Sequence, residues 1–560
     1  MSSTGRLALL LAASLAASSN SGCAMSKSND PQACVSALGQ ISPCSIGLLT
    51  PSCEGRRRDI AERFLEQQCS AFDNTSAAGQ RLCRIASWFG LCHPAGALTD
   101  AVAIASLDDV CPTNSTDSLC DLLRRAEKSH QPADYEAVRS AVAVKVKHEP
   151  RNQVVRNPAV RWFLRERTIA LFAWNVVTKI GSNPVEPPDY SEQVRRILAS
   201  YYPAYGGAAF TMSRTWLPPR QASTTCRRRE GLLFFPGVVR IVARNEFEEQ
   251  REVLHAAFPC LETIVVNSGT FDPPADNADQ GRAAVAELDR RIDGSPLHVL
   301  GYSQGSLNGL WLLANDSSVR ARVQTMLTFN SAAHGSEVAD HLLPLIQTIT
   351  ASSGVCTTDN PVLDPVCEAA NNLTTAPPDF VLGATACAMG LPERELSHFL
   401  AAEQSVEPVN SLHEFLVQHR GGVRSLTTSQ AALFWRDQAP ALPTDTLFVS
   451  YRSIVRQPKN NLPASNCLTY QLLNRVDPVD PYNDMQVRLV NQSLGGAVAD
   501  REVVEPVAEG NHWQWKLAPT DLPEFIMPRE MTEHLPAREL FLAHYQALHD
   551  VGLLLPDDSD

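Results

Sequence analysis

Ser303, His512 and the aspartates Asp477, Asp480 and Asp484 are the residues whose types and spacing could together do nucleophilic chemistry. A serine hydroxyl is a weak nucleophile until a neighbouring base takes its proton, and a third group must orient that base. Ser303 stands in Gly301-Tyr302-Ser303-Gln304-Gly305, a G-x-S-x-G pattern. The pattern gains meaning from its flanks. Leu297 to Leu300 is a short apolar run of strand type, and an apolar, helix-like stretch follows from Ser306 to Ala314. A strand, a tight turn and a helix would strain the Ser303 backbone and expose its hydroxyl above a sheet edge. The first N–H groups of the helix would then lie beside the developing negative charge, with Gln304 supplying one oxyanion donor.

His512 is the preferred base. Gly510 and Asn511 put it in a tight turn directly after the strand-like run Glu502 to Val507. His334 follows the strand-like run Val323 to Phe329 and could line the mouth of a site. It precedes every plausible acid in chain order, which argues against it as base. His534 reads as part of the terminal helical region, and His544 and His549 as surface or packing residues of the last helix. Three acids compete to orient the base. Asp477 is preferred, because Pro478 and Pro481 stiffen a turn there and Tyr482 onward can begin a helix. Asp480 and Asp484 are the alternatives, and Asp484 could instead sit in the first turn of that helix, favoured by its dipole.

Such residues need a scaffold. Gly231 to Phe235, Leu261 to Val266, Leu297 to Leu300, Val323 to Phe329 and Thr446 to Tyr451 read as strands separated by helical patterns. That alternation predicts an α/β fold with a mainly parallel sheet covered on both faces. Ligands bind beyond the carboxyl ends of such strands. Pro236-Gly237 marks that end of the first strand, so Val238 is the candidate for the second oxyanion N–H. Residues 340–440 read as a helical cap inserted over the site, able to exclude water and shape an apolar pocket.

These motifs resemble the alpha/beta-hydrolase superfamily, within its lipase-like esterases. The resemblance rests on Pro236-Gly237, Gly301 to Gly305, Ser331-Ala332-Ala333-His334-Gly335-Ser336, Asp477-Pro478-Val479-Asp480-Pro481 and Gly510-Asn511-His512-Trp513. It covers the C-terminal three fifths, residues 226–560, and implies an alpha/beta-hydrolase fold with a helical cap. It also implies a serine carboxylic-ester hydrolase working through an acyl-enzyme on apolar or lipid-like esters. In many members the first residue of a D-x-V-x-P run is the acid, which favours Asp477. Acyl transfer and peptide hydrolysis share the same machinery, and a non-catalytic binding protein could keep the fold.

The rest of the chain has a different character. The 560 residues allow more than one domain. A net charge of −13 argues against nucleic acid as a partner. Residues 1–22 read as an export signal, too short to span a membrane. Cys23 is a weak match to a lipid-anchored end, an alternative to a freely secreted protein. Fifteen cysteines fit disulfides in an oxidising compartment. Eight of them, from Cys34 to Cys120, mark a small helical cross-linked region within residues 23–225, with no pairing assignable from spacing. Asn74, Asn114, Asn315, Asn372 and Asn491 are glycosylation sequons, usable if a eukaryote secretes the chain. Asn157 to Thr178 has helical periodicity and reads as packing against the next domain, with a membrane-surface helix as the alternative. No metal-ligand spacing stands out and the chemistry requires no cofactor, so the partner expected is a small-molecule or lipid ester.

Overall fold

A computed structural model of the chain describes residues 105–178, 217–238, 247–269, 272–340, 420–455, 482–512 and 536–556, with 197–198, 201–202, 343, 347 and 473. The expected export signal, the cysteines from Cys34 to Cys92, most of the expected cap, His534, Asp477 and Asp480 lie outside the described residues.

Six strands form one parallel sheet: β1 (Glu230–Phe235), β2 (Leu261–Val265), β3 (Leu297–Tyr302), β4 (Val323–Phe329), β5 (Leu447–Tyr451) and β7 (Glu502–Val504). Their order is β2-β1-β3-β4-β5-β7. Two further short strands, β6 (Ser453–Ile454) and β8 (Ala508–Glu509), pair with each other. The strand expected over Glu502 to Val507 is therefore shorter, and only its first three residues pair in the sheet. Val504 ends its pairing with β5, and the chain re-pairs with β6 from Ala508. The sheet is the parallel α/β core expected from the alternation of strands and helices.

Apolar runs such as Gly231 to Phe235 suit strands covered on both faces, because each successive side chain meets a different layer. Leu232 and Phe234 join one core and Leu233 and Phe235 the other. The second core holds α5 (Pro274–Ile292), α6 (Gln304–Asn315) and Phe434 of α7 (Thr428–Asp437). The first holds α1 (Ser118–Ser129), α2 (Pro132–His148), α3 (Pro158–Thr178), α4 (Glu248–Ala257) and α8 (Ala537–Asp550).

Helix α3 starts cleanly. Asn157 Oδ1 accepts from the N–H groups of Ala159 and Val160, and Pro158 occupies the first position, where it sacrifices no helical donor. Sixteen of its 21 residues are buried. The packing reading of this segment therefore stands, because that surface is spent on α8 and the sheet rather than free for a membrane. Arg167 of α3 donates through Nε to Asp550 Oδ2 at 2.8 Å, while the backbone N–H of Arg220 donates to Asp550 Oδ1 at 2.7 Å. His544 and His549 pack inside α8 rather than on its surface, and burial pushes His544 down to about 3. Cys111 pairs with Cys120. Cys226 pairs with Cys260, tethering the approach to β1 to the start of β2.

One group makes stability depend on pH. Glu505, just past β7, is wholly buried, and neither carboxyl oxygen meets a hydrogen-bond donor among the described residues. Burial pushes its carboxyl well above the ordinary 4.5; Arg165 opposes that shift, Glu166 adds to it and Arg452 opposes it. Tyr202 and Tyr451 also face it. The folded chain thus keeps a proton that the unfolded chain releases above 4.5. The stability tied to this proton is complete at lower pH and is lost as pH rises toward the folded value, by about 1.4 kcal/mol per pH unit. Glu505→Gln should remove that slope. Urea unfolding at pH 5 and pH 8 would show the variant gaining on wild type at the higher pH, and parallel curves would reject the assignment.

Candidate active site

The strand order reverses around β1. The chain passes from β1 outward to β2, then returns to β3 on the other side of β1. A crevice forms at such a switch point beyond the strand ends. Ser303 lies there, immediately after β3 and before α6, with φ 53° and ψ −123°. That positive φ is costly for a residue with a side chain and survives only where the surroundings impose it. The surroundings are visible. The Ser303 N–H donates to Phe329 O of β4 at 2.9 Å, and Ser303 O accepts from Ser306 N at 3.1 Å. Two glycines let the turn close. A Cβ at Gly301 would stand 2.5 Å from Ser306 Cα, and one at Gly305 would stand 2.1 Å from Phe235 O.

His512 follows β8. Its N–H donates to Asp484 O at 2.9 Å. Its ring bridges two partners: Nε2 is 2.9 Å from Ser303 Oγ, and Nδ1 is 2.7 Å from Asp484 Oδ2. Ser303 is 8% exposed, His512 2% and Asp484 not at all, so substrate could reach only the serine end of the chain. With Asp484 ionised, Nδ1 carries the proton and Nε2 is left to accept one from Ser303.

Asp484, weighed as an alternative, meets His512; Asp477 and Asp480 lie outside the described residues. No helix begins at Tyr482. Residues 482–488 instead make a tight loop, with Met485 at φ 81° and helical backbone only from Leu489 to Gln492. In that loop Asp484 Oδ1 accepts from the N–H groups of Gln486 at 3.0 Å and Val487 at 2.8 Å. Both carboxylate oxygens are therefore engaged, and Oδ2 is aimed at the imidazole. An Asp that bonds N–H groups two and three residues on is a turn-forming Asp. Asp484-Met485-Gln486-Val487 contains no glycine or proline that would have marked the turn in sequence.

The chain matches no known protein-family profile and no curated protein. Solved structures resemble it distantly. A metagenomic carboxyl esterase is 14% identical, with a TM-score of 0.42, over 68% of this chain and 90% of that one. The mature Bacillus licheniformis lipase is 12% identical, with a TM-score of 0.31, over 52% of this chain and 89% of that one. Lipase 1 from Pelosinus fermentans is 11% identical, with a TM-score of 0.30, over 54% and 96%.

The remaining site residues fall as follows. Gly237 at the end of β1 abuts the nucleophile turn, since a Cβ there would stand 3.3 Å from Ser303 Cβ. Val238 is the next residue, and Gln304 opens α6. The Gln304 side chain donates to Asp272 O at 2.9 Å, which ties the loop after β2 to the turn. His334 has another role. Its Nε2 donates to Leu494 O at 2.8 Å, its ring stacks on Trp435 at 4.8 Å, and burial lowers its pKa. Asn491, a sequon asparagine, uses its amide to reach Glu337 at 3.2 Å. Tyr302 and Asn330, which carried no signal in sequence, both donate to the His512 carbonyl. Among the described residues there is no cluster of three or more metal-ligating side chains and no helix long and apolar enough to cross a membrane.

Proposed function

We propose that this chain is a secreted serine carboxylic-ester hydrolase acting through an acyl-enzyme. The observation that carries the reading is the continuous chain Ser303 Oγ, His512 imidazole, Asp484 carboxylate, with its serine on a strained turn at the sheet's switch point. His512 Nε2 takes the Ser303 proton as Oγ attacks the ester carbonyl. The Gln304 and Val238 N–H groups stabilise the oxyanion. The tetrahedral intermediate collapses, the C–O bond to the alcohol breaks, and His512 returns the proton to the departing alkoxide. Water then attacks the acyl-enzyme with His512 again as base, releasing the acid and regenerating Ser303. Asp484 holds the imidazole and stabilises its charged form throughout.

The substrate class, apolar or lipid-like esters, rests on the family resemblance of the sequence motifs. A series of p-nitrophenyl esters from acetate to palmitate tests it. Hydrolysis should rise with acyl length and be blocked by a fluorophosphonate that labels Ser303. Activity confined to acetate would remove the lipid-like part of the reading. Folded protein without any esterase activity or labelling would remove the enzyme. Adding glycerol as acceptor should still release free acid, whereas a predominantly glyceryl product would reassign the chain to acyl transfer.

A further inference from the structure

The carbonyl oxygen of His512 accepts two hydrogen bonds. Tyr302 Oη donates at 2.8 Å and Asn330 Nδ2 at 3.0 Å. Two donors fill the two lone pairs of a carbonyl. The donors stand at the ends of the two adjacent strands that frame the nucleophile turn, β3 and β4. Tyr302 is the residue before Ser303. Asn330 is the residue after Phe329, whose carbonyl holds the Ser303 N–H. Tyr302 and Asn330 are each 1% exposed.

The His512 carbonyl can only accept, so the amide of Asn330 must turn Nδ2 toward it. Oδ1 is then left to accept from Ser453 Oγ at 3.0 Å. Ser453 is fixed in turn by Gln492, whose Oε1 accepts from Ser453 N at 2.8 Å and whose Nε2 donates to Ser453 O at 2.9 Å. The same Nε2 donates to Val487 O at 3.1 Å, and Val487 N–H is one of the two donors on Asp484. One buried network thus runs from the nucleophile turn through the base to the acid loop. Asn330 has φ 43°, a conformation that asparagine tolerates better than most residues, so its place in the network fits its type.

We infer that Tyr302 and Asn330 are positioning residues that hold the His512 backbone at the distance where its ring bridges Ser303 and Asp484. His512 stands three residues past a two-residue strand. Because the pair stands on the two strand ends that hold Ser303, the base is tied to the same frame as the serine. A displacement of about 1 Å between reacting groups can cost about a hundredfold in rate. The phenol ring of Tyr302 also lies 5.3 Å from the imidazole, tilted by 40°. Tyr302→Phe keeps that ring contact and removes the hydroxyl alone.

This inference rests on the serine-hydrolase reading, and the experiment separates the two. The full-length chain is compared as wild type, Ser303→Ala, Tyr302→Phe, Asn330→Gly and the Tyr302→Phe/Asn330→Gly double variant. Turnover of p-nitrophenyl acetate is expressed per fluorophosphonate-titrated site, and for Ser303→Ala per mole of folded protein. The proton resonance of the His512 Nδ1–H···Asp484 bond is followed at low field. Each single variant should lose about tenfold in kcat and the double about 10²–10³-fold, with KM within about twofold. The low-field resonance should broaden in the double variant while circular dichroism stays native. A purely structural role would lower the titrated site count and leave kcat per site and the resonance unchanged. Should Tyr302→Phe fail to fold, Ser453→Ala, which frees the Asn330 amide without touching His512, should still lower kcat per site about threefold. The inference is overturned if Ser303 is essential yet every folded variant keeps kcat within about twofold of wild type. Activity that survives Ser303→Ala would instead overturn the hydrolase reading, and this inference with it.

Discussion

Ser303→Ala is expected to lower ester turnover by roughly 10⁴–10⁶, because the variant loses the covalent route and keeps only binding and the oxyanion donors. The expectation follows from the geometry around one atom. Oγ is the polar group that His512 Nε2 meets at 2.9 Å, and the turn offers it to the crevice. His512→Ala should cost about as much, since residues of one catalytic unit do not contribute additively. The Ser303 backbone adds a second readout. Its φ of 53° strains alanine as it strains serine, whereas glycine accepts it. Ser303→Gly should therefore be equally inactive yet about 1–2 kcal/mol more stable than Ser303→Ala. Steady-state hydrolysis of p-nitrophenyl butyrate, fluorophosphonate labelling and urea unfolding of the three proteins measure all of this. Ester turnover within tenfold of wild type in folded Ser303→Ala would reject the nucleophile.

Asp484→Asn should lower kcat by roughly 10²–10⁴ with KM little changed. Here the loop decides how the amide must sit. In the native protein one carboxylate oxygen takes two backbone N–H groups, from Gln486 and Val487. An asparagine can meet two donors only with its oxygen. Its NH₂ is then turned toward His512 Nδ1, which must give up its proton to accept. The imidazole proton moves to Nε2, the atom that should receive the serine proton, and the base is disabled by its tautomer. Asp484→Ala would remove the competing donor and should retain more activity than Asp484→Asn. That ranking, the reverse of simple chemical similarity, is specific to this loop. Asp477→Asn and Asp480→Asn should stay within about tenfold of wild type, under about 1.4 kcal/mol of transition-state stabilisation. Collapse of Asp477→Asn with Asp484→Asn unharmed would return the acid to the D-x-V-x-P run.

Local pattern determined much of this protein. The apolar runs around Leu233, Val299 and Leu327 are long enough for strands and are separated by helical periodicity, so a parallel sheet follows from burial on both faces. Glycines at 301 and 305 bracket a serine whose neighbours can make a close strand-to-helix turn. His512, after Gly510 and Asn511, is placed on a loop at a strand end and follows every plausible acid in chain order. These are readings over a few consecutive residues, where steric limits and hydrophobic period act directly.

Tertiary structure decided what depends on residues far apart. The Asp484 loop reads in sequence as a helix start, because the prolines before Tyr482 mark a turn and an Asp suits a first helical turn; it becomes a turn because His512, 28 residues on, engages both the backbone and the carboxylate of Asp484. Tyr302 reads as an ordinary aromatic inside the motif, and only the approach of residue 512 gives its hydroxyl a partner. Asn330 reads as a strand-end polar residue until β5, Ser453 and His512 converge on it. The helix Pro158–Thr178 carries its apolar surface in its sequence, but not the fact that Asp550 waits for Arg167 at the other end of the chain. Hydrogen bonds and ion pairs reward proximity in space, and a buried donor or acceptor must find its partner wherever the fold has brought one. No period or spacing along the chain encodes that meeting.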